Sequence, residues 1–126
     1  MRIAIAIVMI LHGIAHLPGF IVPWRIATFK DTPYKTTLLS GRVDVGDAGI
    51  RIIGALWLAV ALAFVAAGIA AIIDVQWWPV AAASTAFASL ILSFLSLPEA
   101  RIGVVVNIAM LAVLMISVAV GGPFTS

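Results

Sequence analysis

Leu11-His12-Gly13-Ile14-Ala15-His16-Leu17-Pro18-Gly19-Phe20 lies inside an apolar run that extends from Ile3 to about Val22. A run of about 20 apolar residues is the length a helix needs to cross a hydrocarbon core. Ionisable side chains are costly at that depth and face a bundle interior or a polar cavity when they occur. His12 and His16 stand four apart, so they share one face of the first helix. Pro18 has no N–H for the carbonyl of Ile14, and Gly19 loosens the next turn. A kink is expected there, leaving a backbone carbonyl free beside His16.

Working outward, three further apolar runs repeat the pattern, at about 48–73, 77–97 and 102–120. Of the 126 residues 64% are hydrophobic and 10% charged, against roughly 25% charged in a soluble domain. Too few charges remain to cover a water-facing surface. The fold expected is all-α: one domain over 1–126, an up-down bundle of four transmembrane helices with its spans at 3–22, 48–73, 77–97 and 102–120. Asp74-Val75-Gln76-Trp77-Trp78-Pro79 and Leu97-Pro98-Glu99-Ala100-Arg101 are short turns, so the helices they join run antiparallel. Arg2 before an apolar run is also how a signal peptide begins. No small-x-small cleavage site follows and His12 interrupts the run, so the segment is expected to remain as a span.

The chain has no cysteine, which excludes disulfides, CxxC redox chemistry and thiolate metal sites. Its net charge of +2 and the lack of a basic run interleaved with aromatics give no basis for nucleic-acid binding. The positions of the positive charges carry more information. Arg25, Lys30, Lys35, Arg42, Arg51 and Arg101 fall at one end of the bundle and Arg2 at the other. Positive residues stay in the cytoplasm, so the 23–47 loop is read as cytoplasmic and both termini as outside. In that loop Trp24, Phe29 and Tyr34 alternate with cations opposed by Asp31 and Asp44, a composition that suits a segment lying on lipid headgroups as well as a solvated linker. Asp47 is placed to cap the second helix. Trp24, Trp77 and Trp78 read as interfacial anchors, and Trp57 as a lipid or packing contact.

With this orientation His12 falls near the midplane, and His16, Arg51, Ser89, Ser93 and Asn107 fall in the cytoplasmic half, from all four helices. Thr85, Ser89, Ser93 and Ser96 share one face of the third. A polar pocket open to the cytoplasm is expected. In it His12 and His16 have four readings: ligands of a metal, ligands of haem, protonatable groups, or imidazoles satisfied by neighbours as packing contacts. A structural zinc site needs four ligands and a catalytic one three, and the spans offer no carboxylate or third histidine. No cofactor is therefore expected. Ala55, Ala59, Ala63, Ala67 and Ala71, flanked by Gly54 and Gly68, repeat every four residues, as small residues do where helices approach closely in lipid. The partner is either a helix of the same chain or a second protomer, in a homodimer or larger membrane complex.

The stretch from Leu11 to Phe20 resembles the LHGxxHLxGF signature of a family of small, uncharacterised bacterial four-helix membrane proteins. Gly54-Ala55-Leu56-Trp57-Leu58-Ala59 is similar to that family's GLLWLL second helix. Trp77-Trp78, then Leu95-Ser96-Leu97-Pro98-Glu99-Ala100-Arg101-Ile102-Gly103 and Asn107, are similar to its third helix, its following turn and its fourth-helix asparagine. More distantly the architecture resembles DoxX-like proteins. The resemblance implies a multi-pass protein of the bacterial inner membrane and no particular activity. The chain departs from that family in a longer first loop over Thr32 to Gly49.

No catalytic triad, acid pair or nucleotide loop is present, so the reading leans away from an enzyme. It favours a binding or accessory membrane subunit. The alternatives are a proton-coupled transporter titrating His12, in the manner of the small multidrug resistance transporters but without their first-helix carboxylate, and a redox subunit holding haem or quinone at His12 and His16. An absorption spectrum and metal analysis of the purified protein separate the last from the others. A Soret band or stoichiometric metal lost in His12→Ala or His16→Ala establishes the redox subunit; a colourless, metal-free protein leaves packing or titrating imidazoles.

Overall fold

The computed structural model describes residues 2–30 and 32–119, with side chains to 116; Asp31 and the end of the expected fourth span at Val120 lie outside the described residues. The chain is mostly helical. Helix α1 (Arg2–Ala15) gives way at His16-Leu17 to a short α2 (Pro18–Ile21). The long α3 (Gly46–Ile72), α4 (Trp78–Leu95) and α5 (Arg101–Ala119) follow. Between α2 and α3 an antiparallel pair, β1 (Thr37–Leu38) and β2 (Val43–Asp44), forms a small hairpin. Among the described residues three helical stretches are long and apolar enough to cross a membrane: Arg2–Ile21, Gly46–Ile72 and Trp78–Leu95. Helix α5 is apolar over Arg101–Ile116.

Polarity in these helices is arranged inside out. The outward faces carry Ile52, Leu62, Val80, Phe87, Ile102 and Val105, all exposed, whereas His16, Ser89, Ser93 and Asn107 are buried. The buried polar residues lie around the α1–α2 break and on α4 and α5, whereas Arg51 of α3 and Ser84 of α4 are exposed. The neighbours run antiparallel: the Arg2 guanidinium donates to the carbonyls of Ala71 and Ile72, so the start of α1 lies at the end of α3. A cation there satisfies carbonyls that the helix cannot and complements the negative end of its dipole.

Helix α3 packs through a heptad seam. Ile50, Gly54, Trp57, Ala61, Phe64, Gly68 and Ala71 are all buried, which is the alternating three-and-four spacing of a left-handed helix contact. The small members of the seam make the approach close. A Cβ on Gly13 of α1 would stand 2.8 Å from the carbonyl oxygen of Ala61, and one on Gly68 would stand 3.0 Å from that of Ala6. Gly54 likewise faces Pro23 and Trp24 at 2.9 Å. The four-residue alanine repeat is therefore only partly the packing face. Ala67 and Ala71 are buried, Ala63 is half-buried, and Ala55 and Ala59 are exposed. A four-residue repeat drifts around a helix, so it leaves the contact face after two or three members; a seven-residue one does not.

The first connection is an ordered cap rather than a free linker. Leu38 is buried, the Leu39 N–H donates to the Leu95 carbonyl at 2.8 Å, and Lys35 pairs with Glu99 at 2.7 Å. These contacts fasten the hairpin to the end of α4 and to the α4–α5 turn. Helix α3 begins two residues earlier than expected, at Gly46, and Asp47 does not cap it. The Asp47 carboxylate accepts from Arg25 at 3.0 Å and from the Tyr34 hydroxyl. It is Asp44 that accepts the Gly46 N–H, and the Thr36 hydroxyl with it. These two bonds, the backbone one first, hold the Asp44 carboxyl below the ordinary carboxylate range. Gly46 has φ +70°, a conformation that glycine adopts without strain, so the chain turns into the helix there. Trp77 is exposed and suits an interfacial anchor, but Trp78 is buried in the core among the alanines of α4.

Replacing Gly13 by alanine tests the α1–α3 approach. Alanine gains about 1 kcal/mol of helix propensity, but the clash is with backbone and outweighs it. The expected net loss is about 1–3 kcal/mol, read as a lower midpoint in detergent unfolding; an unchanged or raised midpoint would show that the helices are not in close contact there.

Candidate functional site

The break between α1 and α2 supplies the first bond of the site. Before Pro18 the backbone tightens: His16 N–H donates to the Gly13 carbonyl at 3.0 Å and Leu17 N–H to that of Ile14 at 3.1 Å. The His12 carbonyl thus loses its ordinary helical partner, the His16 N–H. The His16 side chain takes that place, with Nδ1 2.6 Å from the His12 oxygen. A carbonyl oxygen only accepts, so Nδ1 carries the proton.

From this bond the direction of a chain of hydrogen bonds follows. In the neutral ring Nε2 is then an acceptor, and the Ser89 hydroxyl donates to it at 2.5 Å. Ser89 Oγ in turn accepts from Asn107 Nδ2 at 2.8 Å. The other end of that amide, Oδ1, accepts from His12 Nε2 at 3.0 Å. The opposite orientation of the amide would leave the Ser89 hydroxyl donating to Asn107, and would then require His16 to be doubly protonated. The four side chains and the His12 carbonyl close a ring that joins α1, α4 and α5. Both His16 nitrogens, His12 Nε2, the Ser89 hydroxyl and both ends of the Asn107 amide find partners in it, as an apolar bundle demands.

Helix α3 supplies the cover. The rings of His12 and His16 lie edge to face at 4.5 Å between centroids, and Phe64 packs against both, at 4.9 and 5.2 Å. Trp57, one heptad before Phe64, lies 5.0 Å from His16. Trp57 is held by Gly19, where a Cβ would fall 2.6 Å from the indole. Beyond Trp57 and His16 a cavity of about 170 Å³ opens between α2, α3 and the loop, at the end that carries the hairpin. Pro18, Val22, Leu38, Ile50 and Ile53 form apolar wall, and the Lys35–Glu99 pair stands among the lining residues.

Of the residues singled out in the sequence, His12, His16, Ser89 and Asn107 meet in one network. Ser93 is one turn along α4 from Ser89, buried, with no hydrogen-bond partner among the described residues. Its Oγ lies beside Gly103, where a Cβ would stand at 2.8 Å. Arg51 is elsewhere: its side chain is exposed and its guanidinium lies over the Trp24 ring at 4.5 Å. Thr85 bonds back to the Ala81 carbonyl at 2.7 Å. The polar cluster and the open space are also distinct. The cluster's members bond chiefly to one another, and only His16 among them borders the cavity, which is mainly apolar. Trp57, read as a lipid or packing contact, packs on His16 and also lines the cavity.

Three of the four ring nitrogens of the histidines are engaged within the ring. Ligation of a metal or haem iron through any of the three would first have to open it. Among the described residues no three His, Asp or Glu side chains group so as to hold a metal ion. No protein-family model, curated protein or solved structure matches the chain.

A closed ring couples groups that do not touch. His12 and Ser89 share no hydrogen bond, yet both are oriented by Asn107. A double-mutant cycle of His12→Phe and Ser89→Ala is expected to show a coupling of about 0.5–2 kcal/mol in unfolding free energy. Additive effects would show that the bonds are independent.

Proposed function

We propose that the chain is a four-span protein of the bacterial inner membrane that binds a small molecule at its cytoplasmic end and carries out no chemistry on it. The supporting observation is the cavity beside His16, walled by helices and roofed by a loop that is fastened to α4 and to the α4–α5 turn. Small-molecule sites are concave and mostly apolar, with few polar groups, in this way. The membrane reading rests on the apolar outer faces, which leave lipid as their partner, and on the enclosed polar side chains. The orientation rests on six of the seven Lys and Arg residues lying at the hairpin end; the cavity then opens to the cytoplasm and both termini face outward.

The ring bears on the proton-coupled alternative. An amide stands between the two imidazoles on one side and a backbone carbonyl on the other, and neither passes a proton in its ordinary form. The histidines act here as a lock between helices. His12→Gln, whose amide N–H can replace the Nε2 donor, is consistent with full stability in this reading, whereas a transporter titrating His12 loses its activity.

The absence of cysteine makes the topology directly measurable. Single variants Thr37→Cys, at the cavity, and Gln76→Cys, in the α3–α4 turn, are labelled with a membrane-impermeant maleimide in intact cells and in inverted vesicles. Thr37→Cys is expected to react only in inverted vesicles and Gln76→Cys only in cells; the reverse pattern would overturn the orientation. A third variant, Ser96→Cys in the cavity wall, is expected to react with a small methanethiosulfonate from the cytoplasmic side. If it stays unreactive the cavity has no entry, and the binding proposal fails.

A further inference from the structure

Resting on the reading of this cavity as the binding site, we propose that its ligand is an uncharged single-ring aromatic molecule bearing one hydroxyl, of the phenol class. Volume sets the size. An apolar cavity of about 150 Å³ holds benzene, so about 170 Å³ accommodates one ring and a substituent. The wall sets the ring: Trp57, Pro18, Val22 and Ile53 present flat or rigid apolar surface, against which an aromatic ring packs in offset or edge-on geometry.

Polar chemistry sets the orientation. His16 borders the cavity, yet both its nitrogens are spent, Nδ1 on the His12 carbonyl and Nε2 on Ser89. His16 therefore offers a ligand no hydrogen bond, and the polar lining residues Trp57, Thr32, Thr37 and Ser96 are uncharged. The charged handle is the Lys35–Glu99 pair, 2.7 Å between Nζ and Oε2, with side chains 33% and 24% exposed. A carboxylate ligand would draw Lys35 away and leave the Glu99 charge partly buried and unpaired. An ammonium ligand would do the same to Lys35. Stranding one partner of such a pair is costly. A neutral hydroxyl avoids this, because a carboxylate has spare acceptor sites and takes the new O–H without releasing the lysine. The ring then points inward to Trp57 and the hydroxyl toward the loop.

Fluorine NMR of the full chain in lipid nanodiscs tests this with three probes of one size: 4-fluorophenol, neutral at pH 7, 4-fluorobenzoate and 4-fluorobenzylamine. The phenol is expected to show saturable one-to-one binding, about tenfold or more tighter than either charged probe, a difference of about 1.4 kcal/mol. Empty nanodiscs give the non-saturable partitioning to subtract. Ile53→Trp, which fills the cavity, should abolish the saturable signal. Glu99→Gln, which frees Lys35, should reverse the order and favour 4-fluorobenzoate. Equal or tighter binding of a charged probe to the native chain would overturn the assignment of a neutral ligand while leaving the site in place. No saturable binding of any probe would overturn the binding site itself and this assignment with it.

Discussion

Where the backbone tightens ahead of Pro18 the His12 carbonyl, not that of Ile14, loses its helical partner, and the structure is organised around the bond that satisfies it. His16 Nδ1 closes on the His12 oxygen, and that fixes which His16 nitrogen must be fed a proton from outside. Ser89, Asn107 and His12 then have a single consistent set of roles. A break in one helix is in this way converted into an attachment among three. In water a polar cluster of this kind contributes little, because solvent competes for each partner. Among apolar helices the competing state is an unmatched group, so the matched ring carries specificity of register even where its net contribution to stability is modest.

The ring and the cavity depend on each other through α3. The same heptad seam that places Ala61 and Gly68 against α1, and Gly54 against Pro23 and Trp24, places Trp57 and Phe64 over the imidazoles. Phe64 seals the ring from one side. Trp57 is the partition, with His16 against it and the cavity lined by both. The break has a second effect at this point: Gly19 gives the indole room, and Pro18 and Gly19 of α2 line the cavity. The loop completes the enclosure because its hairpin is fastened to α4 and the α4–α5 turn by a backbone bond and an ion pair.

Much of this was legible in the sequence because a chain of long apolar runs has few ways to fold. Runs of apolar residues fixed the helices, Pro18 fixed the break, and the four-residue spacing of His12 and His16 put them on one face. Ser89 and Asn107 were legible as buried polar groups in an apolar context. Their pairing was not, since it joins positions 73 and 95 residues from the histidines. The alanine repeat drew attention to the right helix and the wrong spacing: composition showed where small residues are frequent, but the contact depends on which recur every seven. Arg51 read as a member of the polar cluster because depth along a helix is visible in sequence and azimuth is not. The loop was the least legible part. Its short strands, and the Lys35–Glu99 pair across 64 residues, arise from tertiary contacts that no local pattern announces.

The account's central claim is the direction of the ring, and nitrogen-15 NMR of the histidine side chains reads it directly. The chain has only two histidines, so two ring systems are expected at neutral pH in lipid. The account predicts two neutral rings of opposite tautomer, His12 protonated at Nε2 and His16 at Nδ1, assigned by the loss of one signal in His12→Gln. Two rings of the same tautomer, or a doubly protonated His16, would contradict it.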